Sequence, residues 1–282
     1  MAPPAVRRDR ARLSGGAPEF DLSRPNAARI CNVLLDGKDN FESDRSAAHD
    51  LLHWAPEMRA LAKAGRDFLG RAVRHLTDGP EIGQFLDLGT GMPIHCNVHD
   101  MAAQSHPSPR VVYVDNDTVA VTHARALLDN GTTTVAIEGD LRDPTRILED
   151  PQVAAILDFE RPVAVLMTSV LHFVADADRP GESVRTFLEA LAPGSALVIS
   201  HACRDHAAPE ALAGVEAVYE ATTTPLTART RDEIAALFDG WELGPRGPVD
   251  IAYWPLSTER RPRPAMTLYG GVAHLRPWAA RS

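Results

Sequence analysis

Three short polar clusters carry the residue types that a nucleoside site requires. The first is Asp87-Leu88-Gly89-Thr90-Gly91, an acid followed by a glycine turn. The second is Asp115-Asn116-Asp117, and the third is Glu138-Gly139-Asp140-Leu141. Each follows an apolar, β-branched or aromatic run that reads as a buried strand. Acids at strand ends accept hydrogen bonds from ribose hydroxyls or an exocyclic amine, and a glycine turn lets backbone N–H groups approach a ligand without side-chain bulk. A single such acid is as readily a helix cap or a solvated loop carboxylate. Three on consecutive strand ends argue for a nucleoside.

Further along, Ser169-Val170-Leu171-His172-Phe173 follows a fourth apolar strand, and His201 follows a fifth. Imidazole titrates near neutrality, so either ring suits removal of a proton from a nucleophile, with His172 the stronger candidate. The competing reading is a histidine that packs its ring and bonds a nearby carbonyl. His95 and His99 have metal-pair spacing but no evident carboxylate ligand, so no metal is expected, and His99 is read as packing on the sheet. Cys96 beside His95 is read as a small buried residue, because neighbouring side chains on a regular element point apart. In the Lys38-Asp39-Asn40-Phe41 turn, Lys38 and Asn40 could form a lid over the cofactor mouth. A solvated turn with an N-cap is the equal alternative.

The elements that must position these groups alternate. A short helix from Asn26 to Leu35 stops at Asp36-Gly37. An amphipathic helix after Pro56 carries Met58, Leu61, Phe68, Leu69, Val73 and Leu76 at helical spacing and ends at Gly79-Pro80. Strands are expected at Gln84–Leu88, Val111–Val114, Thr133–Ile137, Val163–Thr168 and Ala196–Ser200. Helices are expected near Asn97–Gln104, over Thr118–Leu128 with Thr118 as cap, within Pro144–Leu157, over Gly181–Leu191, and around Pro209–Glu220. Thr230-x-x-Glu233 is a capping-box pattern opening a helix that ends at Phe238. Segments near Trp241–Leu243 and Met266–His274 read as a closing strand pair. Near-continuous apolar strands joined by helices give an α/β fold with a mostly parallel sheet. The expected organisation is a disordered tail over residues 1–21, a helical cap over 22–80, and one sheet domain over 81–282.

Composition narrows the function. The formal charge of −9 argues against a nucleic-acid groove and an anionic membrane surface. Lys38 and Lys63 are the only lysines, and the three cysteines are far apart, without a zinc or disulfide pattern. The N-terminus has arginines but no apolar core of a signal peptide, and no apolar run is long enough to span a bilayer. A soluble cytoplasmic protein is expected.

Two nucleoside cofactors fit the alternation. A nicotinamide dinucleotide wants a third glycine where Ile94 stands, so that a helix N-terminus can approach its pyrophosphate. S-adenosyl-L-methionine has no phosphate and removes that requirement. For it, Asp115 suits the ribose, Asp140 the adenine amine with Leu141 beside the ring, and Asp87 the amino group of the methionyl arm, while Gly89, Thr90 and Gly91 form the close turn. Asn116 and Ser169 complete the candidate cofactor contacts.

The segment from Gln84 to Asp143 resembles class I S-adenosylmethionine-dependent methyltransferases. More narrowly, the chain resembles an actinobacterial methyltransferase-like family once catalogued as a domain of unknown function. The matching pieces are Ala28-Arg29-Ile30, Gly37–Phe41 with Asp44-Arg45, Asn97-Val98-His99, Tyr113–Asp117, Gly139–Asp143, Val170–Val174 and Tyr269–Val272. The resemblance implies a doubly wound seven-stranded sheet whose last strand runs antiparallel, and S-adenosylmethionine as cofactor. Cys31 and Val33 stand where the family usually has tyrosines, Asp36 where it has glycine, and Ile94-His95-Cys96 where it has Thr-Gln-Gly, which unsettles the substrate but not the cofactor. The leading expectation is O- or N-methylation of a small molecule. The alternatives are a binding module of the same fold without turnover and a nicotinamide-dependent oxidoreductase. The latter is disfavoured by Ile94 and by the absence of a Tyr-x-x-x-Lys pair.

Overall fold

The computed structural model describes residues 22–244, 246–255 and 266–275, so the expected tail over residues 1–21 lies outside the described residues. Three helices precede the sheet: α1 (Ala27–Leu34), α2 (Glu42–Trp54) and α3 (Met58–Asp78). Asn26 starts α1 by accepting from the Ala28 N–H at 2.8 Å. The long α3 buries Phe68, Leu69, Val73 and Leu76 along one face and stops at Gly79.

No helical periodicity in the sequence marks α2. Its apolar stripe is thin, burying only Ala47, Ala48 and Leu51 beside Asp44. What holds it is a buried ion pair, Arg29 to Asp44 at 3.3 Å. The Asp44 carboxylate also accepts from the backbone N–H groups of Asn26 (3.1 Å) and Phe41 (2.9 Å). Thus the Arg29 and Asp44 positions within the family-like motifs join α1 to α2.

Strands and helices then alternate as β1 (Gln84–Leu88), α4 (Val98–Ala102), β2 (Arg110–Asp115), α5 (Thr118–Leu127), β3 (Thr134–Glu138), α6 (Pro144–Leu148), α7 (Pro151–Ile156), β4 (Ala164–Thr168), α8 (Pro180–Ala190), β5 (Ala196–Cys203), α9 (Pro209–Glu220), α10 (Arg231–Ala236), β6 (Glu242–Leu243), β7 (Val249–Asp250) and β8 (Thr267–His274). The sheet order is β3-β2-β1-β4-β5-β8-β6, with β7 also on β8. Strands β1 to β5 are parallel, and β8 runs antiparallel to β5. Alternate residues feed opposite faces: Leu86, Val112 and Val165 pack with Phe187 and Ile234, whereas Phe85, Val111 and Tyr113 pack with Phe68 and Leu76. The sheet is therefore covered on both sides.

Eight strands are present where seven were expected. The extra one is the short β7, which with β6 shares the outer edge of β8, interrupted by a turn through Gly247 and Pro248. Proline cannot donate to a ladder, which suits a break in an edge strand.

Several local expectations change. Asp117, not Thr118, caps α5, accepting from the Ala120 N–H at 2.9 Å. The helical stretch over residues 144–157 splits in two, each half opening on a proline. The Thr230/Glu233 capping box is present, although α10 stops at Ala236. Strand β5 continues past Ser200, because β8 pairs with it as far as Cys203↔Thr267. Among the described residues no helix is long and apolar enough to cross a membrane.

Candidate functional site

Strand order reverses between β1 and β4, and in open α/β sheets ligands bind at the carboxyl ends beside that switch point. A cavity of about 450 Å³ opens there. Its wall brings together Asp87, Gly89, Thr90, Gly91, Asp115, Asn116, Asp140, Leu141, Ser169 and His172, all read from the sequence as site candidates.

The turn after β1 is folded back on β2. Gly89 and Thr90 donate their N–H groups to the Val114 carbonyl at 2.8 and 3.0 Å. Gly91 then donates to Asp115 Oδ2 at 2.7 Å, and Asp117 donates to Asp115 Oδ1 at 2.9 Å. Each carboxylate oxygen keeps a lone pair for a further donor. The two glycines have different reasons. Gly89 has φ +71° and lies against Val170, whose Cγ2 would be 2.2 Å from an added Cβ, so protein rather than ligand closes on it. Gly91 has φ +67° and would meet only Ala28, 3.9 Å away, so it is the glycine that leaves room.

Charge is concentrated on this rim. Asp87 accepts from the Thr90 hydroxyl at 2.8 Å, and burial pushes its pKa up to about 6 against that hydrogen bond and the nearby Arg66 charge. Burial likewise raises Asp115 to about 6, opposed by the Asp117 and Gly91 N–H groups. Both acids are therefore short of solvation, which outweighs the hydrogen bonds they accept. Asp140 differs: the Arg142 guanidinium bonds it and holds it below the usual carboxylate range.

Arg66 escaped the sequence reading. It lines the cavity from α3, donates to the Cys96 carbonyl at 2.8 Å, and lies near enough to Asp87 to favour its ionised form. Its signal was an arginine inside the apolar stripe that runs from Met58 through Ala62 to Leu69 and Val73.

The two histidines hold opposite tautomers, fixed by their partners. His172 Nδ1 accepts from the Ala202 N–H at 3.2 Å, so the neutral ring carries its proton on Nε2. Burial, with His201 and Arg229 nearby, drives its pKa well below the ordinary histidine value. A lone pair at Nε2, which a base facing the cavity would need, is absent. In this tautomer His172 has an N–H at Nε2 to offer, an arrangement unlike that of the general base expected from the sequence.

His201 is also corrected. It lies fully buried inside β5, its Nδ1–H bonded to the Ala202 carbonyl at 2.8 Å and its Nε2 accepting from Arg229 at 2.7 Å. Burial lowers its pKa to about 4, and it is not on the cavity wall. Arg229 also donates to the carbonyls of Leu171 and Val174 and to Asp176, so this pair fixes the segment that carries His172.

Within the Lys38–Phe41 turn it is Phe41 that packs toward the glycine turn, on the cluster of Met92, Val119 and Ala120. Lys38 is exposed, and neither it nor Asn40 lines the cavity. Asn40 braces the turn, donating to Asn32 Oδ1 at 2.9 Å and the Gly37 carbonyl at 3.0 Å. Ser169 adopts φ +55°, and its N–H bonds the Ser200 carbonyl and hydroxyl, each at 2.9 Å. His99 packs on β2 through Tyr113, whose hydroxyl lies 2.7 Å from Nδ1. Among the described residues no group of three His, Cys, Asp or Glu side chains could hold a metal.

This donor set fits S-adenosylmethionine. Leu141 offers an apolar face, Asp115 offers unfilled acceptor sites, and Asp87 and Arg66 present opposite charges beside the clear space at Gly91. A doubly wound sheet with this strand order, its antiparallel β8 and such a crevice define a Rossmann-like S-adenosylmethionine-dependent methyltransferase. The sequence profile of the S-adenosyl methyltransferase family matches residues 14–276, and the chain belongs to that family. Two solved structures are similar throughout. A DUF574 family protein from Streptomyces avermitilis is 34% identical, with 92% of this chain and 100% of that one covered and a TM-score of 0.85. A Thermobifida fusca protein, provisionally assigned as a methyltransferase, is 34% identical over 93% and 99% of the two chains, with a TM-score of 0.83. No curated protein matches the chain. The protein is an S-adenosylmethionine-dependent methyltransferase.

Proposed function

We propose that this enzyme methylates a small molecule on oxygen or nitrogen. The observation that carries the reading is one cavity running from the acidic strand ends into an apolar chamber beneath the helical cap, with Leu34, Met58, Leu61 and Phe173 on its wall. A pocket of about 450 Å³ suits a cofactor and a small acceptor better than a polymer. The charge of −9 also disfavours nucleic acid.

S-adenosylmethionine supplies the electrophilic methyl group. The chain's residues hold and orient. In this reading Asp115 accepts from the ribose hydroxyls, Leu141 covers the adenine and Asp140 takes its amine. Asp87 faces the ammonium of the methionyl arm and Arg66 its carboxylate. Cap helices α1 and α3 exclude water. His172 donates its Nε2–H toward the acceptor's reacting group and steadies negative charge there, while the acceptor's own proton passes to solvent. The test is transfer of radiolabelled methyl from S-adenosylmethionine to panels of phenols, amines, protein and RNA. Label in low-molecular-weight products is expected. Label confined to the macromolecular fraction overturns the reading.

A further inference from the structure

The inner half of the cavity differs in kind from its rim. All six charged residues on the wall belong to the strand-end side: Asp87, Asp115 and Arg66 around the glycine turn, and Asp140, Arg142 and Asp178 around the end of β3. Asp178 belongs with that group because its charge acts on Arg142. The chamber beyond is walled by Leu34, Met58, Leu61, Val215 and Leu226, drawn from α1, α3, α9 and the segment after α9. Phe173 and Tyr219 pack against each other in its wall, ring centroids 5.2 Å apart.

Within this apolar lining, Tyr219 carries an unmet need. It is only 5% exposed and lines the cavity, and its hydroxyl makes no hydrogen bond to another described residue while staying open to the cavity. Buried polar groups are nearly always paired, and an unpaired one in a cavity wall is a place where a ligand atom belongs. Burial, with Cys31 alongside, keeps the phenol protonated and able to donate. Cys31 marks the border of the two halves: the Arg66 charge reaches it from one side and it adjoins Tyr219 on the other.

We propose that the chamber beneath α1, α3 and α9 receives an uncharged, predominantly apolar acceptor, anchored by one hydrogen bond to the Tyr219 hydroxyl. This rests on the reading of the enzyme as a small-molecule methyltransferase. A charged acceptor would lose its hydration in the chamber and find no counter-charge. An apolar molecule with one hydroxyl or carbonyl gives up little water, and its polar group replaces that water with the phenol.

The experiment titrates the full chain, with and without saturating S-adenosylhomocysteine, with three probes of like shape: 2-naphthol, 2-methylnaphthalene and 2-naphthalenesulfonate. The wild type should bind 2-naphthol about tenfold more tightly than 2-methylnaphthalene, and the sulfonate at least tenfold more weakly than either. Tyr219→Phe should erase the preference for 2-naphthol, the tenfold being the worth of one hydrogen bond. Ala62→Leu, which narrows the chamber from α3, should weaken both neutral probes. Binding of the sulfonate as tightly as 2-naphthol, or an unchanged 2-naphthol affinity in Tyr219→Phe, overturns the proposal. S-adenosylhomocysteine affinity, measured on the same samples, reports folding of the variants. Loss of that affinity in the wild type defeats the cofactor assignment, whereas intact cofactor binding with indiscriminate probe binding defeats only this inference.

Discussion

The rim of the cavity and its inner chamber are built on different principles. At the rim, Asp87, Asp115 and Asp140 sit within two residues of a strand end, and the parallel pairing of β1, β2 and β3 sets those ends side by side. Asp115 is thereby tied to the Gly91 and Asp117 N–H groups, and Asp87 to the Thr90 hydroxyl. The chamber has no such local frame. Its wall comes from helices distant in sequence, and its shape depends on α1 and α2 being clamped by Arg29 and Asp44. The rim binds through directed charge, the chamber through excluded water. One half can therefore stay fixed to a single cofactor while the other changes acceptor by repacking helices.

The severest way to separate the halves is to cut the clamp. Asp44→Ala leaves Arg29 buried without its counter-charge and should cost about 3–5 kcal/mol of stability. Thermal unfolding should show it, and the 2-naphthol site should weaken more than the S-adenosylhomocysteine site. Equal losses at both would mean that the rim also depends on the cap.

Next comes the rim itself. Asp115→Ala should weaken S-adenosylhomocysteine roughly 100-fold in calorimetry, the worth of two hydrogen bonds to a carboxylate. The same acid predicts a pH dependence. In the free protein Asp115 and Asp87 titrate at about 6, raised from the usual carboxylate value. Ligand donors need the ionised forms, so affinity should be full above pH 6 and fall as pH drops through it, about tenfold per unit for each acid that must lose its proton. Asp115→Asn should remove its share of the slope. A flat profile between pH 5 and 7 contradicts the assignment of these acids.

A sharper, smaller test concerns His172. Long-range ¹H–¹⁵N spectra should show a neutral ring protonated at Nε2, unchanged between pH 6 and 8. An Nδ1–H ring would restore it as a base. Smallest of all, Lys38→Ala should leave S-adenosylhomocysteine affinity within about twofold, because the side chain is exposed and does not line the cavity.

Most of the rim was legible because its signal is local. An apolar strand, an acid and a glycine or polar turn are contiguous, and three repeats of that pattern fix both the fold class and the side of the sheet that binds. The helices α1, α3 and α9 were legible through caps and periodicity. Helix α2 was not, because a buried ion pair rather than an apolar stripe holds it. His201 was misplaced because the end of β5 is set by its partner β8, and neither strand's sequence records the length of their pairing. Arg66 was overlooked because an amphipathic helix tolerates an arginine almost anywhere. Only the packing of α3 against α4 and the β4, β5 and β8 strands brings this one near Asp87.

The order of residues thus determined the sheet, the cofactor crevice and the acids and glycines around it, since these follow from propensity and from neighbours along the chain. Tertiary structure alone decided that His172 accepts at Nδ1 from the Ala202 N–H, that Lys38 is off the cavity wall, and that the Tyr219 hydroxyl opens onto it. Each of those facts depends on which backbone or side-chain group arrives from a distant segment. The free energy of a polar atom is set by the partner it meets, and distance along the chain does not encode that meeting.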